Sequence, residues 1–535
     1  MYATSIAAKC SSASLRCERA VICLLVAICI LLALTAIADT IGHVFSAFCM
    51  VMFVAAFSIR YECFRLPETP QQVDRSISSV INSPTRPRML YLDNLKVALT
   101  LIVVLHHVAI CFFGKIGDAY WIMQIGLYKS SFSCFGAWFT FVNQSYFMCL
   151  FFFISGHFVP TSYDRKGCQA FLKDRFHRLG LPFLAMVFIG WPTLSFLTFY
   201  TLGEAPSYAP LPGPLWFSGW LLLLSFVYAY TEDMEKSRPF YNLRQVFAWA
   251  IALSIVQIVC IGASGASLAF MPVVHGSLPF DLAFFYLGVA SKRSGWLEEE
   301  EAAGPADAIA NVEAELQGPS ADLNGEVAMG DKQIAYASLR DEVTDTCVSN
   351  KGSLLEFLES YRALNYFLVA LFCLTSLIGF VTLYETDSNA ADGDDHWDDH
   401  MGEEKEPTGA NVDYTLVYLV FVPINGLMTV FISLSAIDVS KRYLNFQSQW
   451  TTYLAEAAYG VYVFHPFFIQ LFAVLWIECI IPKQLYFYNF ELFIQSTTDV
   501  DDKWLWGGFF FTALLAIPIC WIFSALAKSV FLKIL

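Results

Sequence analysis

The sequence predicts an all-α protein that crosses a membrane many times, with a ten-helix core, an N-terminal hairpin and about twelve transmembrane helices in total. Hydrophobic residues make up 57% of the 535 residues and aromatic residues 16%, which is more apolar surface than a soluble fold can bury. The apolar residues form runs that are long enough to span a bilayer. The loops between the runs alternate between basic and non-basic composition, as expected when successive loops lie on opposite sides of a membrane.

Residues 1–60 are predicted to form a transmembrane hairpin. Two apolar runs, residues 20–37 and 43–58, are separated by a short polar break. A cleaved signal peptide is the alternative interpretation of a charged start followed by an apolar run, but the first run is long and a second one follows at once. Residues 61–88 combine several arginines with prolines and serines and are predicted to be a cytoplasmic linker.

Residues 89–531 are predicted to form the main membrane domain, divided into ten apolar segments, some short enough to be tilted or re-entrant. The segments are residues 90–113, 134–158, 180–201, 215–230, 244–264, 278–292, 362–384, 412–436, 453–480 and 505–530. Residues 294–361 have no helical apolar period and are predicted to be a disordered cytoplasmic insert. Residues 385–411 are predicted to be an acidic loop on the non-cytoplasmic side.

The distribution of charge predicts the orientation of the chain. Basic residues are concentrated in alternate loops, and because positively charged loops stay in the cytoplasm, both termini are predicted to be cytoplasmic. The formal net charge of −15 arises from acidic residues in two of the loops. Nucleic-acid binding is not predicted, because no basic patch with interleaved aromatic residues is present.

The acidic loop also contains His396 and His400 among its aspartates. Carboxylates and imidazoles together could bind a divalent cation, but their spacing matches no defined metal-binding loop. A solvated acidic loop is the favoured interpretation. We therefore predict no metal site and no bound cofactor.

One predicted helix carries ionisable side chains inside an apolar run. Asp93 and Lys96 lie near its start, and His106 and His107 lie near its end. Lys96 and His107 share a helix face about 16 Å apart, whereas His106 points about 100° away. Ionisable groups inside a membrane are costly and mark functional sites. The alternative is a helix whose charged end reaches water and whose one buried histidine is hydrogen-bonded.

Four further motifs place polar residues in or beside apolar segments. They are Arg175-x-x-Arg178, the phenylalanine-rich run that ends in Ser155-Gly156, Leu215-Trp216-Phe217, and Tyr459-Gly460-x-Tyr462-x-x-His465. Paired arginines can bind phosphates through their forked donors, although cytoplasmic loops are basic in any case. The other three motifs also have ordinary explanations, namely close helix packing, an interfacial tryptophan and a polar packing histidine.

Together and in this order, the five motifs resemble the acyltransferase-3 family of integral membrane acyltransferases, over about residues 89–531. Family members begin with an aspartate, then an arginine, ten further residues and a histidine, which here are Asp93, Lys96 and His107. The segment around Ser155-Gly156-His157 is especially similar to the branch of glucan-biosynthesis protein C. The resemblance implies an enzyme with acyl-CoA, usually acetyl-CoA, as cytoplasmic co-substrate and a carbohydrate or lipid as acceptor.

The resemblance also implies roles for individual residues. His107 would be the general base for the acceptor hydroxyl, and Asp93 would orient Lys96 or a backbone terminus; a covalent acyl-histidine is an alternative. The expected donor- and substrate-binding residues are Lys96, Arg175, Arg178, Trp216 and His465. The three cations among them would neutralise the phosphates of the donor.

Lys96 departs from the family, which has arginine at this position. Lysine keeps the positive charge but lacks the planar, two-pronged donor group of arginine, so an inactive relative that acts as a scaffold is one alternative function. A solute or proton-coupled transporter is another, because histidine and lysine inside spans also suit proton relays. The sequence leaves the acceptor, the acyl chain length and the membrane open.

Overall fold

The computed structural model describes residues 89–112, 130–201, 211–231, 243–262, 267–268, 271–272, 278–297, 354–392, 414–481 and 502–531. The predicted N-terminal hairpin (1–60) and linker (61–88) lie outside the described residues, as do most of the insert (294–361) and of the acidic loop (385–411). The described chain is almost entirely helical.

Eleven α-helices follow one another in the described chain. They are α1 (Leu90–Ile110), α2 (Ser131–Arg175), α3 (Leu181–Ala185), α4 (Trp191–Thr201), α5 (Trp216–Thr231), α6 (Leu243–Gly262), α7 (Leu278–Arg293), α8 (Leu354–Asp392), α9 (Tyr414–Tyr443), α10 (Gln449–Cys479) and α11 (Asp502–Phe531). Two π-helical turns, Phe176–Gly180 and Met186–Gly190, flank α3, and a 3₁₀ turn, Gly213–Leu215, precedes α5. Two short strands, β1 (Ser267–Leu268) and β2 (Met271–Pro272), pair antiparallel with Ser267 opposite Pro272.

Seven stretches of the described chain are helical, long and apolar enough to cross a membrane. They are Leu90–Ile110, Ser131–Leu197, Gly213–Tyr230, Phe357–Thr382, Val422–Tyr443, Gln449–Ile477 and Asp502–Lys528. The protein is therefore a multi-pass integral membrane protein. The predicted total of about twelve transmembrane helices is not confirmed.

Helix α2 contradicts one predicted boundary. Its helical pattern continues well past residue 158 and includes most of the predicted basic loop 159–179. The charged side chains there did not end the helix, because charges at a helix end that reaches water are compatible with helical backbone. Helical geometry is interrupted at Gly167, where φ is 73°, a value that glycine adopts without steric cost.

After Gly167 the chain reverses and runs back beside α5. Gly180 lies against Leu222, and farther along, Trp191 lies against Gly213, so the contacts run in opposite order along the two segments. An ion pair between Lys166 and Asp174, 2.7 Å long, bridges the turn. The Ser131–Leu197 stretch thus consists of two antiparallel legs.

Helices α2 and α7 pack unusually closely and run parallel, because Cys149 contacts Asp281 near one of their ends and Asp164 contacts Arg293 near the other. A Cβ atom on Gly156 would lie 2.2 Å from the carbonyl oxygen of Phe285, and one on Gly288 would lie 2.1 Å from that of Phe153. Neither glycine can therefore be replaced without separating the helices. The close packing predicted for Ser155-Gly156 is confirmed.

The predicted insert 294–361 is structured at both ends. Residues 294–297 form a turn in which Trp296 and Leu297 are buried, and α8 begins at Leu354, ahead of the predicted segment start at residue 362. Leu354 and Leu358 are buried, so apolar packing orders this part of the chain. Helix α8 also continues to Asp392, into the predicted acidic loop 385–411; the next residue in the sequence is Gly393, a poor helix former.

Ion pairs are concentrated at the end of the bundle where α1 begins and where α2, α7, α9 and α11 end, which we call the charged end. They include Asp93–Lys96, Asp164–Arg293, Asp174–Arg178, Asp438–Arg362, Asp438–Arg442 and Glu456–Lys528. Helix α1 starts at this end and runs into the interior, with half of its span buried, whereas only 11% of the α8 span is buried. Residues on α1 are therefore placed to meet several other helices.

Candidate functional site

Two adjacent histidines on α1 face different neighbours. The ring of His106 packs against Phe147 of α2, with 5.1 Å between centroids. The ring of His107 lies against His465 of α10, with 5.0 Å between centroids and 30° between planes. The divergence predicted for consecutive helix positions is therefore seen, and His107 points into the bundle rather than toward lipid.

His465 is fully buried, and a backbone contact fixes its protonation. Its Nδ1 lies 2.8 Å from the carbonyl oxygen of Tyr462. Because a carbonyl can only accept a hydrogen bond, Nδ1 carries the proton and Nε2 carries the lone pair in the neutral ring. The Nε2 atom is buried and has no hydrogen-bond partner within the described chain.

The tyrosine motif of α10 contacts the Leu-Trp-Phe motif directly. The hydroxyl of Tyr462 donates a hydrogen bond to the carbonyl of Pro214, and its ring lies 5.9 Å from that of Phe217. Phe217 in turn meets Phe152 of α2 edge-on at 4.7 Å. Trp216 is partly buried, with its ring 6.4 Å from Phe152. Three motifs that are far apart in sequence thus form one continuous packed surface.

At the charged end of α1, Lys96 has two neighbours. Its Nζ lies 2.6 Å from Oδ1 of Asp93 and 5.0 Å from the ring centroid of Phe158. Asp93 therefore holds the Lys96 ammonium at the aromatic surface of α2, close to the Ser-Gly motif. Lys96 keeps 34% of its side chain exposed, so it remains accessible from the charged end.

The base of α1 is also tied to α10. The side-chain amide of Asn94 donates to the carbonyls of Leu444 and Phe446, at 2.6 and 2.8 Å. These carbonyls belong to the short link that leads into α10, whose first turn is capped by Ser448 and Thr451. Sequence reasoning did not identify Asn94, although a buried amide at the start of an intramembrane helix could have suggested a cross-link.

The two arginines of the Arg-x-x-Arg motif occupy different environments. Arg175 is partly buried, its guanidinium lies 5.1 Å from the ring of Phe171, and its buried Nε has no hydrogen-bond partner in the described ranges. Arg178 is 71% exposed, and its Nε lies 2.9 Å from Asp174. Arg175 is the last residue of α2, and Arg178 lies in the π-helical turn that follows it.

Arg178 still connects to the rest of the site through its backbone. Its carbonyl accepts a hydrogen bond of 2.8 Å from the hydroxyl of Tyr459, so the π-helical turn is held against α10. Wider π-helical turns are frequently found at functional sites. Tyr459 and Tyr462 were recognised as motif residues, but their hydrogen bonds to two different backbone segments could not be derived from spacing.

All five sequence motifs therefore meet around the interface of α1 and α10. The interior offers an imidazole lone pair on His465 next to His107, which suits proton transfer. The charged end offers Arg175, whose Nε is unsatisfied, and Lys96, which suit an anion. Within the described residues, no group of three or more His, Cys, Asp or Glu side chains could hold a metal ion.

Comparison with protein families agrees with this arrangement. Residues 89–525 match the family model of the acyltransferase-3 type, described as an acyltransferase domain. No curated protein and no solved structure gives a significant match. Since the match covers most of the chain and includes all five motifs, the protein belongs to the acyltransferase-3 family and is a membrane acyltransferase.

Proposed function

We propose that the protein transfers an acyl group, acetyl or succinyl, from a CoA thioester to a hydroxyl group of a carbohydrate or another small acceptor. The observation that carries this proposal is the position of His107, whose ring lies 5.0 Å from that of His465 inside the bundle. A base in this position is shielded from the lipid and lies farther into the bundle than the cations of the charged end. The similarity to the glucan-biosynthesis protein C branch favours a carbohydrate acceptor.

In the proposed reaction, His107 removes the proton of the acceptor hydroxyl as its oxygen attacks the thioester carbonyl. The new C–O bond forms, the C–S bond breaks, and the proton passes from His107 to the departing sulfur. The products are the acylated acceptor and free CoA. General base catalysis of this kind contributes about 10²–10⁴-fold to a rate.

The donor is expected to bind from the charged end. Its phosphates would contact Arg175, whose Nε lacks a partner within the described segments, together with Arg178 and Lys96. Charge-assisted hydrogen bonds from arginine to phosphate are stronger than neutral ones. The pantetheine arm would then extend along α1 toward His107, past Trp216 as a substrate-binding residue.

This geometry requires the charged end to face the cytoplasm, where acyl-CoA is made. The alternation of basic loops supports that orientation and a cytoplasmic location of both termini. The acceptor would reach His107 from the opposite membrane surface. The aspartate–lysine pair at the start of α1 would keep a cation at the donor's point of access.

The proposal is tested with membranes from cells that express the full-length protein and from cells that lack it. Both are incubated with acetyl-CoA or succinyl-CoA that is isotopically labelled in the acyl group, and glycans and lipids are then analysed by mass spectrometry. We expect label in an ester that appears only with the protein. Equal labelling in both membranes, for both donors, would contradict the proposal.

A further inference from the structure

The Nε2 atom of His465 is a buried polar atom in the interior of the site. The ring is fully buried, and its Nδ1–H is committed to the carbonyl of Tyr462. The lone pair on Nε2 is left without a hydrogen-bond partner in the described part of the chain. Leaving a buried acceptor without a hydrogen bond costs free energy of folding. A functional role for this nitrogen would account for that cost.

The ring of His465 lies beside that of His107. The two centroids are 5.0 Å apart and the planes are inclined by 30°. At this spacing the two imidazoles can be joined by a direct N–H···N hydrogen bond once the rings turn their nitrogens toward each other, or by a bridging acceptor hydroxyl. His106 packs against Phe147 and meets His107 edge-on at 5.4 Å.

We infer that His465 is a positioning residue for His107, and not a contact to the donor as the motif alone suggested. This inference rests on the proposed acyl transfer. When His107 takes the acceptor proton, its ring becomes an imidazolium with two N–H groups. One N–H later delivers the proton to the CoA sulfur, and the other donates to Nε2 of His465. His465 gains and loses no proton over the cycle.

A neutral imidazole suits this task inside a membrane. The partner that orients a catalytic histidine is often a carboxylate, which is charged throughout the cycle. A permanent charge at this depth is expensive in a membrane. A histidine whose tautomer is set by the Tyr462 carbonyl accepts the same hydrogen bond while remaining neutral at rest.

Two substitutions test the roles of the two nitrogen atoms of His465 separately. His465→Asn ends near the position of Nδ1, so it can still donate to the Tyr462 carbonyl but has no group at Nε2. His465→Gln extends to the position of Nε2 and can place an amide oxygen there as an acceptor. Both are measured as full-length protein in membranes with labelled acetyl-CoA, and thermal unfolding in detergent shows whether each variant is folded.

We expect His465→Asn to lower kcat roughly 10–100-fold, the range found for partners that orient metal-bound histidines, with the KM for acetyl-CoA unchanged. His465→Gln should recover most of that loss. In a His107→Ala background, His465→Asn should have no further effect. A raised KM with unchanged kcat would instead make His465 a donor contact, and equal rates for wild type and both variants would also overturn the inference. An inactive wild type, by contrast, would refute the proposed function itself.

Discussion

The middle of the bundle and its charged end contain different kinds of polar group. In the middle, the site is built from imidazoles that contact one another and a backbone carbonyl. At the charged end, cations lie within 2.6–3.2 Å of carboxylates, as in Asp93–Lys96 and Asp438–Arg442. The imidazoles, which can be neutral, lie inside the bundle, and the charges named at the charged end are paired with opposite charges, as the cost of intramembrane charge requires.

Each region also contains two like residues in unlike environments. In the middle, His107 faces His465 while His106 packs against Phe147. At the charged end, the Arg175 Nε is buried without a partner in the described ranges, whereas Arg178 is exposed and paired with Asp174. We assign the larger contributions to acyl transfer to His107 and Arg175, a smaller one to Arg178, whose guanidinium is already paired, and none to His106. Substitutions can test this distinction, beginning with the largest expected effect on acyl transfer.

The largest effect is expected from His107→Ala. Loss of the general base should lower kcat by about 10²–10⁴-fold with the folded fraction unchanged. The measurement is the initial rate of label transfer, normalised to folded protein by gel filtration in detergent.

The matched control is His106→Phe, which keeps an aromatic ring against Phe147. We expect a rate within about fivefold of wild type, the small cost of a near-isosteric core replacement. If His106→Phe were as damaging as His107→Ala, the two rings would not have separate tasks.

The next largest effect is expected from Arg175→Gln. Removing a charge-assisted hydrogen bond to phosphate costs about 1.5–3 kcal/mol, so the KM for acetyl-CoA should rise roughly 10–100-fold with little change in kcat. Arg178→Gln, at the exposed position, should change the same KM by less than about threefold. Saturation curves for both variants measure the contrast. A larger effect at Arg178 would reverse our assignment of the buried and exposed arginines.

A smaller effect is expected from Lys96→Arg. Arginine restores the family residue and its forked donors, and Asp93 is in position to hold it, so the rate should rise by about two- to fivefold. Lys96→Met should lower the rate. If the wild type were inactive and Lys96→Arg were active, the natural chain would be a catalytically inactive relative. If Lys96→Arg were less active than the wild type, lysine would be required at this position.

The smallest effect on catalysis is expected from Asp438→Asn at the charged end, because the partners of this carboxylate lie on α8 and α9. The Asp438 carboxylate accepts from Arg362 at 3.0 Å, Arg442 at 3.2 Å and the Tyr366 hydroxyl at 2.6 Å. Losing its charge should lower the free energy of unfolding by about 1–3 kcal/mol, with kcat and KM of the folded protein unchanged.

Thermal unfolding in detergent measures this loss of stability. Glu359→Gln is the matched control, because Glu359 is 70% exposed and contacts the same Arg362; it should cost less than about 1 kcal/mol. A catalytic defect in folded Asp438→Asn would mean that the ion pairs of this region belong to the donor site.

Much of the site could be predicted because its motifs lie within single helices. The divergence of His106 and His107 follows from helical geometry, and the close packing at Gly156 follows from its lack of a side chain. The partnership of His107 with His465 could not be predicted, since it depends on how α1 and α10 are placed. The different surroundings of Arg175 and Arg178 depend on a π-helical turn that has no sequence periodicity of its own. The continuation of α2 to Gly167 could not be predicted from the apolar run, because the residues after 158 are rich in charge.

The hydrogen bonds of Asn94 have a mechanical consequence. They tie the start of α1 to the link that precedes α10, so the helices that carry His107 and His465 are joined at this end. If either helix tilts about this point, we expect the other to tilt with it, so that the distance between the two rings changes little. The leg of residues 176–201 contacts the same unit through the Tyr459–Arg178 hydrogen bond at its base and through Gly190, which lies beside Phe467 of α10, so it is held against α10 on both sides of α3.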